Sequence, residues 1–177
     1  MSAPLIIGVD PATLTGLCWG RVGETPRLES RKFRVSPLDK VEDLFGRAAY
    51  YWANILEGLD PVVVAVEAPV RIIGTSNDDT TTLTRGLYAI FAGLARARSI
   101  RVLPAQISTW RKYFLGHGHL AGAVAKRECL RRCTLMGWPA PDHNAAEAAG
   151  IWLWACAMEA PQLAKRPEPL FVEGVVS

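Results

Sequence analysis

Three carboxylates stand at positions suited to chemistry on a phosphate. Asp10 closes the apolar run Leu5-Ile6-Ile7-Gly8-Val9, and Glu67 closes a second one, Val62-Val63-Val64-Ala65-Val66. A short run of branched apolar residues ending in an acid reads as a buried strand leading into a turn, and Pro11 after Asp10 strengthens that reading. The plain alternative for Asp10 is a turn residue that accepts backbone N–H bonds. The third acid, Glu147, lies in Asp142-His143-Asn144-Ala145-Ala146-Glu147-Ala148-Ala149-Gly150, where small residues let a helix approach a sheet closely. His143 and Asn144, four and three residues before Glu147, share its helical face. Asp142, five back, leaves that face and suits a helix cap. Acids that face one another repel at neutral pH, and a divalent cation resolves the repulsion. Oxygen ligands favour Mg2+ or Mn2+, and two such ions about 3.5 to 4 Å apart stabilise the attacking and leaving oxygens of a phosphoryl displacement. The chemistry this suggests is hydrolysis of a phosphodiester with water as nucleophile.

A phosphate-rich partner needs a cationic surface, and the charge distribution provides a candidate. The net charge is only +3, yet between Arg85 and Arg132 there are ten basic residues, among them Arg85, Arg111, Lys112, Lys126, Arg127 and Arg131, against the single acid Glu128. Neutralised phosphates supply most nonspecific affinity for nucleic acid, so this segment is the expected DNA-binding surface. A solvated helix face is the plainer reading of the same charges. Cys18, Cys129, Cys133 and Cys156 lack CxxC or Cys/His zinc spacing and read as free thiols of a cytoplasmic protein. His117 and His119 flank Gly118 in a glycine-rich loop and read as exposed polar groups, while Trp110, Trp138, Trp152 and Trp154 accompany apolar stretches and read as core or dimer-interface residues.

The elements that must position these groups follow from periodicity. Strands are predicted at 5–10, 15–22 and 27–35, with Gly23 to Pro26 as the turn between the last two. Val41, Leu44, Phe45, Ala48, Ala49, Trp52, Ile55 and Leu56 then recur at helical spacing up to Gly58. A strand at 62–67, a turn-rich loop over 68–82, a helix at 82–97 and a strand at 100–103 closed by Pro104 come next. Helices at 107–114, 121–136 and 142–159 complete the order. An opening meander followed by crossover units is α/β with a mixed sheet, an antiparallel three-strand meander followed by parallel strands, flanked by helices. With 177 residues, half of them hydrophobic, one domain over 1–160 and a C-terminal tail over 161–177 are expected. No apolar run is long enough to span a membrane, and no basic segment precedes Leu5 to suggest a secretory signal.

The ordered set of motifs resembles the RuvC family of Holliday junction resolvases, within the ribonuclease H-like superfamily. Ile7-Gly8-Val9-Asp10-Pro11 with Thr15-Gly16 and Gly20 is similar to its first motif, Val64-Ala65-Val66-Glu67 to its second and Asn144-Ala145-Ala146-Glu147-Ala148 to its last. The resemblance spans Leu5 to Ala157. It implies a ribonuclease H-like fold and a Mg2+-dependent endonuclease, Mn2+ substituting, that acts as a homodimer and nicks two strands of a four-way DNA junction. It further implies Asp10, Glu67 and Glu147 as principal ligands, with Asp142, His143 or Asn144 completing the site, and Lys126 as a basic residue near the scissile phosphate. The family's last motif normally carries two acids three apart, where this chain has Asn144 and Glu147. After Glu67 it has Ala68-Pro69-Val70-Arg71, without the aromatic some relatives place there, and Arg71 joins the expected DNA contacts.

Three rival readings stand beside this one. A sugar-kinase-like phosphotransferase also opens with an acid-ended strand, but it needs two related domains and a second glycine-rich loop. A related nuclease acting on an RNA–DNA hybrid or structured RNA shares the backbone contacts and metal chemistry. A branched-DNA-binding protein that has lost catalysis through Asn144 is the third, and the retained Asp10, Glu67 and Glu147 count against it.

Overall fold

The computed structural model describes residues 2–69 and 78–164, the side chains of 78–80 excepted. Strands β1 (Leu5–Asp10), β2 (Leu14–Arg21) and β3 (Arg27–Lys32) form the expected antiparallel meander. Helix α1 (Val41–Leu59) follows, then β4 (Val63–Glu67), α2 (Asp78–Ala97), β5 (Arg101–Ala105), α3 (Ile107–Leu115), α4 (Gly122–Leu135) and α5 (His143–Glu159). The sheet order is β3-β2-β1-β4-β5, with β1 parallel to β4 and β4 parallel to β5. The mixed α/β sheet read from the sequence is therefore the one observed.

Strand alternation divides the core into two layers. Ile7, Val9, Val64 and Val66 face α1 and α2, where Leu44, Trp52, Leu87 and Phe91 are buried. Ile6, Val63 and Ala65 face the other way, toward α3, α4 and α5. Ile6, Ile7 and Val9 are wholly buried, each stabilising the fold by about 1.5–3 kcal/mol on area grounds. In α1, Leu44, Ala48, Trp52 and Leu56 recur every four residues on the buried face, and the Trp52 indole donates to the Phe91 carbonyl at 2.9 Å, tying α1 to α2. The opposite layer centres on α5, which is buried on nearly every side from Asn144 to Leu153 because sheet and helices enclose it.

Two boundaries differ from the sequence reading for physical reasons. Strand β3 stops at Lys32 rather than continuing to Val35: Phe33 turns into the core and its carbonyl accepts from Arg47 Nε at 2.7 Å, drawing the backbone off the ladder. Strand β5 runs through Pro104 to Ala105, because β5 is an edge strand and Pro104 lacks only an N–H that a single neighbour can spare. Helix α2 begins at Asp78, a turn earlier than expected; residues 70–77 of the expected loop, Arg71 among them, lie outside the described residues. So does the expected tail from residue 165 onward, while 161–164 form a turn against the end of α5. All four cysteines are free and buried, and burial pushes the Cys133 thiol up to about 12. Among the described residues no helix is long and apolar enough to cross a membrane.

Candidate active site

Alternation along two adjacent parallel strands aims two acids into one place. Asp10 continues the set of Ile6 and Gly8, and Glu67 the set of Val63 and Ala65, so both carboxylates face the α5 layer. The register Ile6↔Val63 through Val9↔Val66 brings the two strand ends level. Glycines let α5 lie directly on this sheet: a Cβ at Gly8 would sit 2.6 Å from the Ala148 carbonyl oxygen, and one at Gly16 would sit 2.0 Å from that of Asn144. Such closeness brings Glu147, on the buried face of α5, to the same end of the sheet. Asp10, Asn144 and Glu147 are 7%, 7% and 5% exposed.

The electrostatics show that the three acids share one poorly solvated space. Burial drives the Asp10 carboxyl well above the usual carboxylate range, and the charges of Glu67 and Glu147 push it further, against Lys126 and Arg111. Glu67 is pushed up to about 7, chiefly by burial. An indole N–H opposes that rise: Trp110 Nε1 donates to Glu67 Oε2 at 2.9 Å. The next residue holds the next acid, with Arg111 donating to Glu147 Oε1 at 2.7 Å in a pair whose side chains are 14% and 7% exposed. The Arg111 guanidinium also lies over the Trp110 ring, 5.3 Å from its centroid.

The remaining predicted residues fall into distinct places. Asp142 is the N-cap of α5: its Oδ1 accepts from the backbone N–H groups of Asn144 and Ala145 at 2.9 and 3.0 Å and from Ser30 Oγ at 2.6 Å. That oxygen is committed to holding α5 against β3, so of the two roles open to Asp142 the structure supports the cap. His143 is half-buried on the first turn of α5. Lys126 is exposed on α4, yet near enough to Asp10 to lower its carboxyl.

The basic segment does not form one surface. Arg85 is exposed on α2, across the sheet from Lys112 on α3 and Lys126, Arg127 and Arg131 on α4. Arg127 and Arg131 each reach Glu128, at 3.4 and 3.3 Å. Arg111, expected among the surface cations, is instead an internal partner of Glu147, because a buried carboxylate beside two others draws the nearest guanidinium inward. His117 and His119 are exposed, as expected. Trp110, Trp138 and Trp152 are buried core residues, but the hold of Trp110 on Glu67 had no sequence signal beyond its place just after a strand.

The acids offer hard oxygen donors in a site of excess negative charge, which suits Mg2+ or Mn2+. With Arg111 on Glu147 and Trp110 on Glu67, no three His, Cys, Asp or Glu side chains among the described residues are arranged to hold an ion together. The donor chemistry fits a divalent cation; the present side-chain arrangement leaves two of the donors engaged by protein.

No family model matches the sequence, and no curated protein matches it. The fold does have solved counterparts. The chain is similar to Thermus thermophilus RuvC in complex with a Holliday junction substrate, with a TM-score of 0.68 and 22% identity over 92% of this chain and 98% of that one. A second Thermus thermophilus RuvC structure matches with a TM-score of 0.65 and 22% identity over 91% and 98%. The yeast mitochondrial Holliday junction resolvase Ydc2 matches at 0.58 and 12% identity over 91% and 82%. The fold is a ribonuclease H-like mixed sheet, and within that class it is the fold of the RuvC resolvases, shared over nearly the whole chain.

Proposed function

We propose that this chain is a metal-dependent, structure-selective endodeoxyribonuclease that resolves four-way DNA junctions. The observation that carries the proposal is the convergence of Asp10, Glu67 and Glu147 at one end of a RuvC-like sheet, where the charges of Glu67 and Glu147 raise the Asp10 carboxyl and that of Glu147 raises Glu67. Such a concentration of acid is costly to bury, and it is useful to an enzyme that must bring cations to a phosphodiester. Asp10, Glu67 and Glu147 would hold Mg2+ or Mn2+, with the Asn144 side-chain carbonyl or His143 as further donors. The ion supplies positive charge where the phosphate becomes more negative and Lewis acidity toward its oxygens. Trp110 fixes the orientation of Glu67, and the cap at Asp142 fixes the height of α5 and therefore of Glu147. Lys126, exposed beside Asp10, is placed to meet a phosphate at the mouth of the site, and Lys112, Arg127 and Arg131 extend that charge along α3 and α4. In the reaction, a water oxygen bonds to phosphorus, the bond to the leaving sugar oxygen breaks, and one strand is left with a phosphate end and a hydroxyl end.

One structural counterpart, Thermus thermophilus RuvC, is in complex with a Holliday junction substrate, and that favours a branched DNA substrate for this chain. Two nicks placed symmetrically require two sites, so the active form is proposed to be a homodimer. The test is cleavage of labelled four-way junction, linear duplex and RNA–DNA hybrid side by side with Mg2+, with Asp10→Asn as control. Paired nicks in the junction alone are expected, with cleavage lost by about a thousandfold or more and junction binding retained in the variant. Cleavage of the hybrid instead would transfer the same chemistry to another substrate. Junction binding without cleavage under either metal would leave a binding protein.

A further inference from the structure

We propose that Arg111 is a latch on Glu147 that a divalent cation must displace: its guanidinium occupies the charge position of the metal-free site and leaves Glu147 when the cation enters. The inference rests on the metal-binding reading of Asp10, Glu67 and Glu147 and names a regulated element within it. Its basis is geometric. Arg111 Nη2 lies 2.7 Å from Glu147 Oε1, and the pair is nearly closed off from water. The same Arg111 is incompletely held, since its buried Nε has no hydrogen-bond partner. An Arg fork matched to a carboxylate uses two parallel bonds, so a single bond with an orphaned Nε is a weaker grip than this side chain can make. The guanidinium also covers the face of Trp110, whose N–H is bonded to Glu67. Two consecutive residues of α3 thus hold two of the three acids.

A cation held by Glu147 would share that carboxylate with this guanidinium, and the two positive charges would repel each other across a site that excludes most of the water needed to screen them. The exchange is reciprocal: whatever factor Arg111 takes from the affinity for the cation, the cation takes from the hold of Arg111 on Glu147. The protein without metal therefore keeps Glu147 neutralised and positioned, and a cation that binds both completes the site and frees Arg111 toward the solvent edge it already borders. Nothing in this exchange requires a change in helix position. It needs only a rotamer change in one long side chain.

The test uses the full chain without DNA, with Mn2+ binding followed by electron paramagnetic resonance and the Arg111 Nε–H cross-peak followed by nitrogen-15 NMR during a Mg2+ titration. The cross-peak is assigned by its loss in Arg111→Lys. Arg111→Gln is expected to bind Mn2+ about tenfold more tightly than the unaltered protein, in the usual range of coupling between sites. The Arg111 Nε–H peak of the unaltered protein is expected to move with the same midpoint as Mg2+ binding. Equal or weaker binding in Arg111→Gln, with an unmoved Nε–H peak in a protein that does bind the ion, overturns the latch and leaves the metal site intact. No binding by either protein overturns the metal reading and the latch together. Should Arg111→Gln not fold, the Nε–H titration of the unaltered protein decides alone.

Discussion

Gly16 and Asn144 are in backbone contact: a Cβ on Gly16 would lie 2.0 Å from the Asn144 carbonyl oxygen and 2.4 Å from its carbonyl carbon. Gly16 is also the ladder partner of Asp10, so the absence of a side chain at one position sets how near α5 comes to the first acid. Gly16→Ala places a methyl inside backbone atoms that have no rotamer to escape with. A loss of about 3 kcal/mol or more is expected, read as a lowered urea midpoint. An unchanged midpoint would mean that α5 lifts off the sheet at little cost.

Stability without metal should fall as pH rises through neutrality. The Glu67 carboxyl is raised in the folded protein from its ordinary 4.5 to about 7, so the folded state binds a proton more tightly than the unfolded chain. The stability this provides is complete below about 4.5 and is lost as pH rises through about 7, and Asp10, also raised, acts in the same direction. Urea midpoints measured in EDTA at several values between about pH 4.5 and 8 should therefore decline, and Glu67→Gln should flatten the decline. Trp110→Phe removes the indole N–H that opposes the rise, and should move the transition to higher pH. A profile that climbs with pH would contradict the buried, mutually repelling arrangement.

Asp142 serves as a cap, and the distinction from a ligand is measurable. Asp142→Ala should cost about 1–2 kcal/mol through the lost bonds to Asn144 and Ala145, with Asp142→Ser recovering much of it. Mn2+ affinity of the folded Asp142→Ser protein should match that of the unaltered chain. A hundredfold loss of affinity in that variant would return Asp142 to the ligand set.

The two sides of the sheet should contribute unequally to DNA binding. Lys126→Ala and Arg127→Ala are expected to weaken junction binding, each reducing the slope of log affinity against log salt by about 1. Arg85→Ala, on the far layer, is expected to leave that slope unchanged. Equal slopes for Lys126→Ala and the unaltered chain would move the DNA surface elsewhere.

Much of the site could be read from the chain because its determinants are local. Strand alternation alone sends Asp10 and Glu67 to the same face when their strands are parallel and level, and a helix of small residues ending its first turns with Glu147 needs only a sheet to lie on. The cap at Asp142 was legible for the same reason, since capping bonds span two and three residues. What the sequence could not reveal depends on contacts between distant segments. Trp110 meets Glu67 across 43 residues and Arg111 meets Glu147 across 36, and no periodicity announces either. The basic segment from Arg85 to Arg132 is continuous in the chain, but the crossover through β5 sends Arg85 to one layer and Lys112 and Lys126 to the other. Local patterning therefore determined which acids share a face and which helix carries the third. Only the tertiary structure decided which cations remain at the surface and which one is drawn in to neutralise them, because charge pairing in a buried site depends on distance through space.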